Sequence, residues 1–332
     1  MNKESSISYY RVIATIFILI CHIGTQYNSG IIAEGFLVGV QMFLLLSGYL
    51  SAKGIDKKRG FGYIGKRFLR ILIPVWIFTV PYMIVAVIMN MYGVLDFVPY
   101  LLGIFGIPRL VNAPEFAVVQ GLSHLWYVSI ALICELIAPL LLAIKKKVKK
   151  RGAAYYATFL ASVLLLHLLS LLTQIRFDYI AVFATGVFLS DFLKAKENSK
   201  RIIFANLSLI FALALRVVVQ MKFDNSAMYE GFVRPFVYLV LAVALFIDIK
   251  AVVTFAKRKM PEKLVDNKVV SFFERFSYEI YIAHYIFIVG PLNVYLLGIP
   301  EIAKNVLFLV FSLALAVALG LAVRLTNRWC KK

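Results

Sequence analysis

The chain has 332 residues, 62% of them apolar, with a mean hydropathy of +0.86 and only 16% charged residues. Soluble domains carry about 25% charged residues, so these values exclude a soluble globular protein and indicate a polytopic membrane protein. The net charge of +19 would suit a nucleic-acid partner, but Lys and Arg fall in short clusters between apolar spans, which is the pattern that orients membrane proteins instead.

Ten spans are expected, at about 8–27, 33–52, 70–92, 121–144, 153–173, 177–193, 202–221, 231–249, 275–297 and 301–324. The first is too long for a cleavable signal, and no small-x-small site follows it. The longest polar segment, around Thr254 to Glu274, is too short to be a soluble domain, so residues 1–332 read as one integral-membrane domain, an all-α bundle. Cys21, Cys134 and Cys330 are widely spaced and form no disulfide framework and no CxxC pair; no metal site is expected.

Alternate loops carry the cations. Lys53, Lys57, Lys58, Arg59, Lys66, Arg67 and Arg70 lie between the second and third spans, and Lys145, Lys146, Lys147, Lys149, Lys150 and Arg151 between the fourth and fifth. Further clusters follow the sixth span (Lys194, Lys196, Lys200, Arg201), the eighth (Lys250, Lys257, Arg258, Lys259, Lys263, Lys268, Arg275) and the last (Arg324, Arg328, Lys331, Lys332). The intervening loops hold only Arg109, Arg176, Lys222 and Lys304, so both termini are expected in the cytoplasm. The run KKKVKKR reads as topogenic and lipid-facing. The outer segment 90–120, with Pro99, Pro108 and Pro114, contains the apolar run VPYLLGIFGI, which suits a re-entrant or interfacial segment.

The first span, YRVIATIFILICHIGTQY, carries Arg11 at its cytoplasmic edge and His22 in its outer half. Eleven residues at 1.5 Å each separate them by ~16 Å along the axis. Arg11 reads either as an interface anchor or as a functional cation; an ionisable His22 inside a span is functional by default and titrates near neutral pH. In the second span, Gly35 and Gly39 suit close helix packing, and Ser47 suits a local hydrogen bond, since no nucleophile elbow surrounds it. Arg67 and Arg70 share a face at the start of the third span, either as a bidentate clamp for a phosphorylated ligand or as snorkelling anchors.

His124, Trp126 and Tyr127 open the fourth span, as an outer aromatic belt or as part of a site, with Glu135 three turns further in. An unpaired buried carboxylate is expensive, so Glu135 is expected to pair with an inward Arg, His or Tyr. Ser277, Tyr281 and His284 line one side of the ninth span, as at a cavity. His167 reads as structural, and Arg216 and Arg234 fall in the outer halves of their spans.

These motifs resemble those of the acyltransferase-3 family, ten-helix bacterial membrane acyltransferases that decorate cell-surface glycans. The Arg-x10-His of the first span, VGVQMFLLLSGYL, RFLRILIP, SHLWYV and SYEIYIAHY occur in the family's order over nearly the whole chain. Gln41 and Leu44 interrupt the more aromatic run usual in the second motif, and no esterase-like domain is fused, as in stand-alone members. The resemblance implies a multi-pass plasma-membrane enzyme transferring an acyl group, usually acetyl, from cytoplasmic acyl-CoA to a hydroxyl of a glycan such as capsule or exopolysaccharide. Acyl-CoA is then a co-substrate, with no bound cofactor and no nucleic acid; membrane lipid and the glycan are the other partners.

On this reading Arg11, Arg67 and Arg70 receive CoA, and His22 is the general base or a transient acyl carrier. Glu135 and His284 orient His22 or bind sugar hydroxyls, and His124, Trp126, Tyr127 and Tyr281 face the acceptor. The competing readings are a succinyl donor, a glycan transporter or flippase, for which no internal repeat speaks, and a non-catalytic membrane sensor.

Overall fold

The computed structural model describes residues 4–27, 30–57, 61–91, 93, 119, 121–148, 152–173, 176–195, 198–223, 229–265 and 267–329. Most of the expected outer segment 90–120 lies outside them, as do Lys149 to Arg151. All regular structure among the described residues is helical. In chain order the helices are α1 (Ser5–Gln26), α2 (Gly30–Gly35), α3 (Val38–Lys57), α4 (Phe61–Ile88), α5 (Trp126–Val148), α6 (Ala153–Thr173) and α7 (Phe177–Phe188). They continue with α8 (Ser190–Lys194), α9 (Ser199–Phe223), α10 (Arg234–Lys259), α11 (Glu262–Val265), α12 (Lys268–Ala283) and α13 (Glu301–Trp329).

Among the described residues eight helical stretches are long and apolar enough to cross a membrane, so the chain is an all-α polytopic membrane bundle. They correspond to eight of the ten expected spans. The other two, 177–193 and 275–297, are helical over only part of their length. Twelve residues make α7 about 18 Å long, short of the ~30 Å hydrocarbon core. Its carbonyl end is closed by polar groups from neighbouring helices: Tyr155 donates to Phe188 O at 2.7 Å, and the Lys145 ammonium to Val187 O at 3.2 Å and Ser190 Oγ at 2.6 Å. Lys145 is therefore turned inward and buried, contrary to its expected place in a lipid-facing run, while Lys146 and Lys147 stay exposed. Lys250 does the same for the end of α8, donating to Leu193 O and Ala195 O at 2.7 and 2.6 Å. Cations at carbonyl ends satisfy orphan acceptors and oppose the helix dipole.

In the last partial span, α12 stops at Ala283, and one 3-10 turn, His284–Phe287, follows. The chain then turns through Gly290, whose φ of 141° no ordinary side chain adopts easily. A β-carbon there would stand 3.4 Å from Gly121 Cα, so the turn seats directly on the approach to α5. The apolar run through 288–297 reads as a span on composition, but its backbone folds back.

Helix α3 lies at the centre. It crosses α7 so closely that a β-carbon on Gly48 would lie 2.1 Å from Phe183 O, and one on Gly186 2.1 Å from Leu45 O. Small residues permit this approach where lipid supplies no hydrophobic drive. Gly39 packs on α1 in the same way, where an added β-carbon would lie 2.7 Å from Ala14 O, whereas one on Gly35 would lie 2.9 Å from the Arg216 guanidinium. Tyrosines tie the remaining helices: Tyr10 donates to Ala242 O at 2.8 Å and Tyr278 to Ile71 O at 2.9 Å. Helices α6 and α9 turn residues such as Leu160, Leu172, Phe204 and Phe211 outward. The start of α1 meets the end of α3 through Lys53–Glu4 at 2.8 Å, and reaches Val265 through Tyr9 at 2.7 Å, which gathers the cation-bearing helix ends on one side.

Candidate active site

The end of α12, where the α-helix gives way to the 3-10 turn, lies against α1 and the head of α5, and the site forms there. A helix that stops leaves carbonyls without donors. Here Ile280 O accepts from the His284 backbone N–H, and imidazoles bond to the carbonyls of the same turn: His284 Nδ1 lies 2.8 Å from Tyr281 O and 3.2 Å from Ile280 O, and His124 Nε2 lies 3.1 Å from Ile282 O. In return, the Tyr281 hydroxyl donates to His124 O. A carbonyl only accepts, so each neutral ring must carry its proton on the bonded nitrogen. His284 Nε2 and His124 Nδ1 are then left as lone pairs, both buried and without a hydrogen-bond partner.

His22 completes the group from α1. Its ring centroid is 5.1 Å from that of His284, and His284 is 5.1 Å from His124. Tyr285 stands between, 5.0 Å from His22 and 4.8 Å from His124. Beside them lies a cavity of about 250 Å³, lined by Cys21 and His22 from α1, Val40 from α3, His124 and Trp126 at the head of α5, and Tyr285. Tyr281 contributes to the same wall. Among the described residues, no three His, Cys, Asp or Glu side chains are disposed to hold one metal ion.

From the cavity a ladder of rings leads toward the cationic end: His124 to Tyr281 at 5.3 Å, then Tyr281 to Tyr127 at 5.4 Å. Tyr127 is within electrostatic reach of Arg11 and Arg67, and Arg11 within reach of Arg70. The three arginines differ in setting. Arg11 sits 3.6 Å from Glu274, Arg67 is held by Glu135, and Arg70 is exposed. Glu135, only 2% exposed, also accepts from Ser51 Oγ at 3.1 Å to both carboxylate oxygens and from Ser47 Oγ at 3.4 Å. Of the expected partners it has an arginine, and Ser47 bonds across to α5 rather than locally as expected. Glu135 does not stand beside His22: eleven residues, ~16 Å of helix, separate it from His124.

The structure therefore groups His22, His124, Trp126 and Tyr281 around one cavity, with His284 packed against both histidines behind its wall and Tyr127 below, and sets Glu135 with Arg67 at the other end. His167 binds Val163 O at 2.8 Å between Phe232 and Phe236, outside this group. Arg216 pairs with Glu34 at 3.8 Å. Tyr285, Cys21 and Ser123 are site residues that the sequence does not single out. Tyr285 follows Tyr281 by four residues in SYEIYIAHY, a spacing that a helical stripe would have included.

A family model described as an acyltransferase domain matches residues 4–325, nearly the whole chain. No curated protein and no solved structure matches at a significant level. A match of that extent over a polytopic helical bundle establishes that the chain belongs to the acyltransferase-3 family of membrane acyltransferases.

Proposed function

We propose that this acyltransferase carries an acetyl group from cytoplasmic acetyl-CoA to a hydroxyl of a cell-surface or lipid-linked glycan at the outer face of a bacterial plasma membrane, with His22 as general base. The observation that carries the proposal is the span of α1. It sets an imidazole on a cavity rich in aromatic and hydroxyl groups ~16 Å along the helix from a cluster of three arginines. Guanidinium groups suit the phosphates of CoA, and the pantetheine arm would bridge the distance between them and the histidines. Trp126, Tyr281 and His124 offer the acceptor an apolar face and hydrogen-bonding edges, as sugars require. Glu135 acts on the donor side, by holding Arg67.

In the reaction His22 removes the proton of the acceptor hydroxyl as its oxygen attacks the thioester carbonyl. The tetrahedral oxyanion then collapses, the carbon–sulfur bond breaks, and the CoA thiolate takes the proton from the imidazolium. No covalent enzyme intermediate is needed, because donor and acceptor meet at one nitrogen.

The test uses membranes with matched enzyme levels, labelled acetyl-CoA and surface glycan as acceptor. His22→Ala is expected to lower transfer by about 10²–10⁴-fold. Arg11→Ala is expected to raise KM for acetyl-CoA more than it lowers kcat. Wild-type transfer by the His22 variant would sink the proposal, and label entering glycan from succinyl-CoA alone would replace acetyl by succinyl.

A further inference from the structure

An acyl transfer of this kind needs a second group besides the base, namely a donor aimed at the oxygen on which negative charge develops. The histidine cluster looks able to supply it and is not. His284 and His124 each spend their proton on a carbonyl of the α12 end, and present only lone pairs. The hydroxyl of Tyr281 is spent on His124 O. Arg11 lies three turns down the helix.

Among the described residues two rings lie against His22: His284, whose ring proton is held on Tyr281 O, and Tyr285. Tyr285 lines the cavity, is only partly buried, and its hydroxyl is hydrogen-bonded to no described residue. Its ring is also in contact with His124, so the phenol is held by imidazoles on two sides.

We infer that Tyr285 is a further catalytic residue, the hydrogen-bond donor to the thioester carbonyl oxygen. The inference rests on the transfer proposed above. As the acceptor oxygen bonds to the carbonyl carbon, the electron pair of the C=O moves onto its oxygen, and the phenol donates a hydrogen bond there while keeping its proton. When the C=O re-forms, the carbon–sulfur bond breaks and the hydrogen bond weakens. Tyr285 also explains the two locked histidines. With their protons held on the backbone, they cannot compete with the phenol for the oxyanion or protonate the acceptor.

The experiment compares Tyr285→Phe, Ser123→Ala and His22→Ala in the labelled acetyl-CoA assay, with thermal unfolding in detergent recorded for each. Tyr285→Phe keeps the ring and removes the donor. The expected result is a fall in kcat of about 10²–10³-fold with little change in KM for acetyl-CoA and an unfolding temperature near wild type. Wild-type kcat in Tyr285→Phe, or the same loss appearing in Ser123→Ala instead, overturns the inference. If Tyr285→Phe fails to assemble, 3-fluorotyrosine at position 285 decides. A more acidic phenol should raise kcat, and an unchanged kcat overturns the inference. A dead His22→Ala beside a fully active Tyr285→Phe removes the donor alone. An active His22→Ala beside a slow Tyr285→Phe removes the base and retains the donor.

Discussion

Glu135 is a carboxylate with almost no exposure to solvent, in a helix that crosses the membrane. An arginine and two serine hydroxyls surround it, so every strong interaction it makes is with α3 or α4. Glu135→Ala removes the carboxylate that Arg67, Ser47 and Ser51 all bond to and is expected to destabilise the protein by about 3 kcal/mol or more, read as a lower unfolding temperature in detergent. The double variant Arg67→Met with Glu135→Leu should recover much of that stability while transfer stays low, because a guanidinium proposed to receive CoA is gone. If Glu135→Ala unfolds like wild type, the pair has no structural weight. The need for such a partner was legible in the sequence, since a bare buried carboxylate is not tolerated. Which partner was not legible, because helix register between distant spans depends on packing. The same limit hid Lys145: a lysine within a basic run looks topogenic whether its ammonium faces lipid headgroups or the open end of a neighbouring helix.

At the level of helices, the crossing of α3 and α7 is set by two glycines facing one another's backbone. In an isolated helix, Gly→Ala gains about 1 kcal/mol. Gly48→Ala should reverse that sign, since its methyl would stand 2.1 Å from Phe183 O and force the helices apart. The expected cost is about 1–3 kcal/mol, with lower yield of folded protein in detergent. Gly65→Ala on α4 meets nothing within 4 Å and is the matched control, expected to be neutral or stabilising. Equal behaviour of the two variants would mean that the crossing tolerates separation. Hydropathy identified eight of the crossing helices, whose length and composition suffice. It overran α7 and α12, because an apolar run looks alike whether it continues as helix or folds back. At the end of α12 stand an imidazole bonding to the preceding turn and a glycine three residues past the 3-10 turn, and neither changes the mean hydropathy.

For the molecule as a whole, the alternation of loop charges predicts that Lys146 and Ile302 face opposite compartments. In a variant lacking the native cysteines, a membrane-impermeant maleimide should label Ile302→Cys in intact cells and Lys146→Cys only after lysis. The reverse pattern would invert the topology, and with it the direction of transfer. Ile302 is 80% exposed and Lys146 is exposed, so neither site is masked by packing.

One arrangement at the end of α12 constrains how such a protein can change over time. His124 and His284 bond to carbonyls in the interior of the bundle, so whatever they contribute to transfer, the same nitrogens also tie α12 to its neighbours. His22 has no such second task. On the proposed roles, a lineage released from catalysis would drift at His22 and Tyr285 first and keep His124 and His284 for the sake of the fold. Retained histidines at those two positions would be a poor sign of activity in a sequence survey, and the residue opposite them on α1 the informative one.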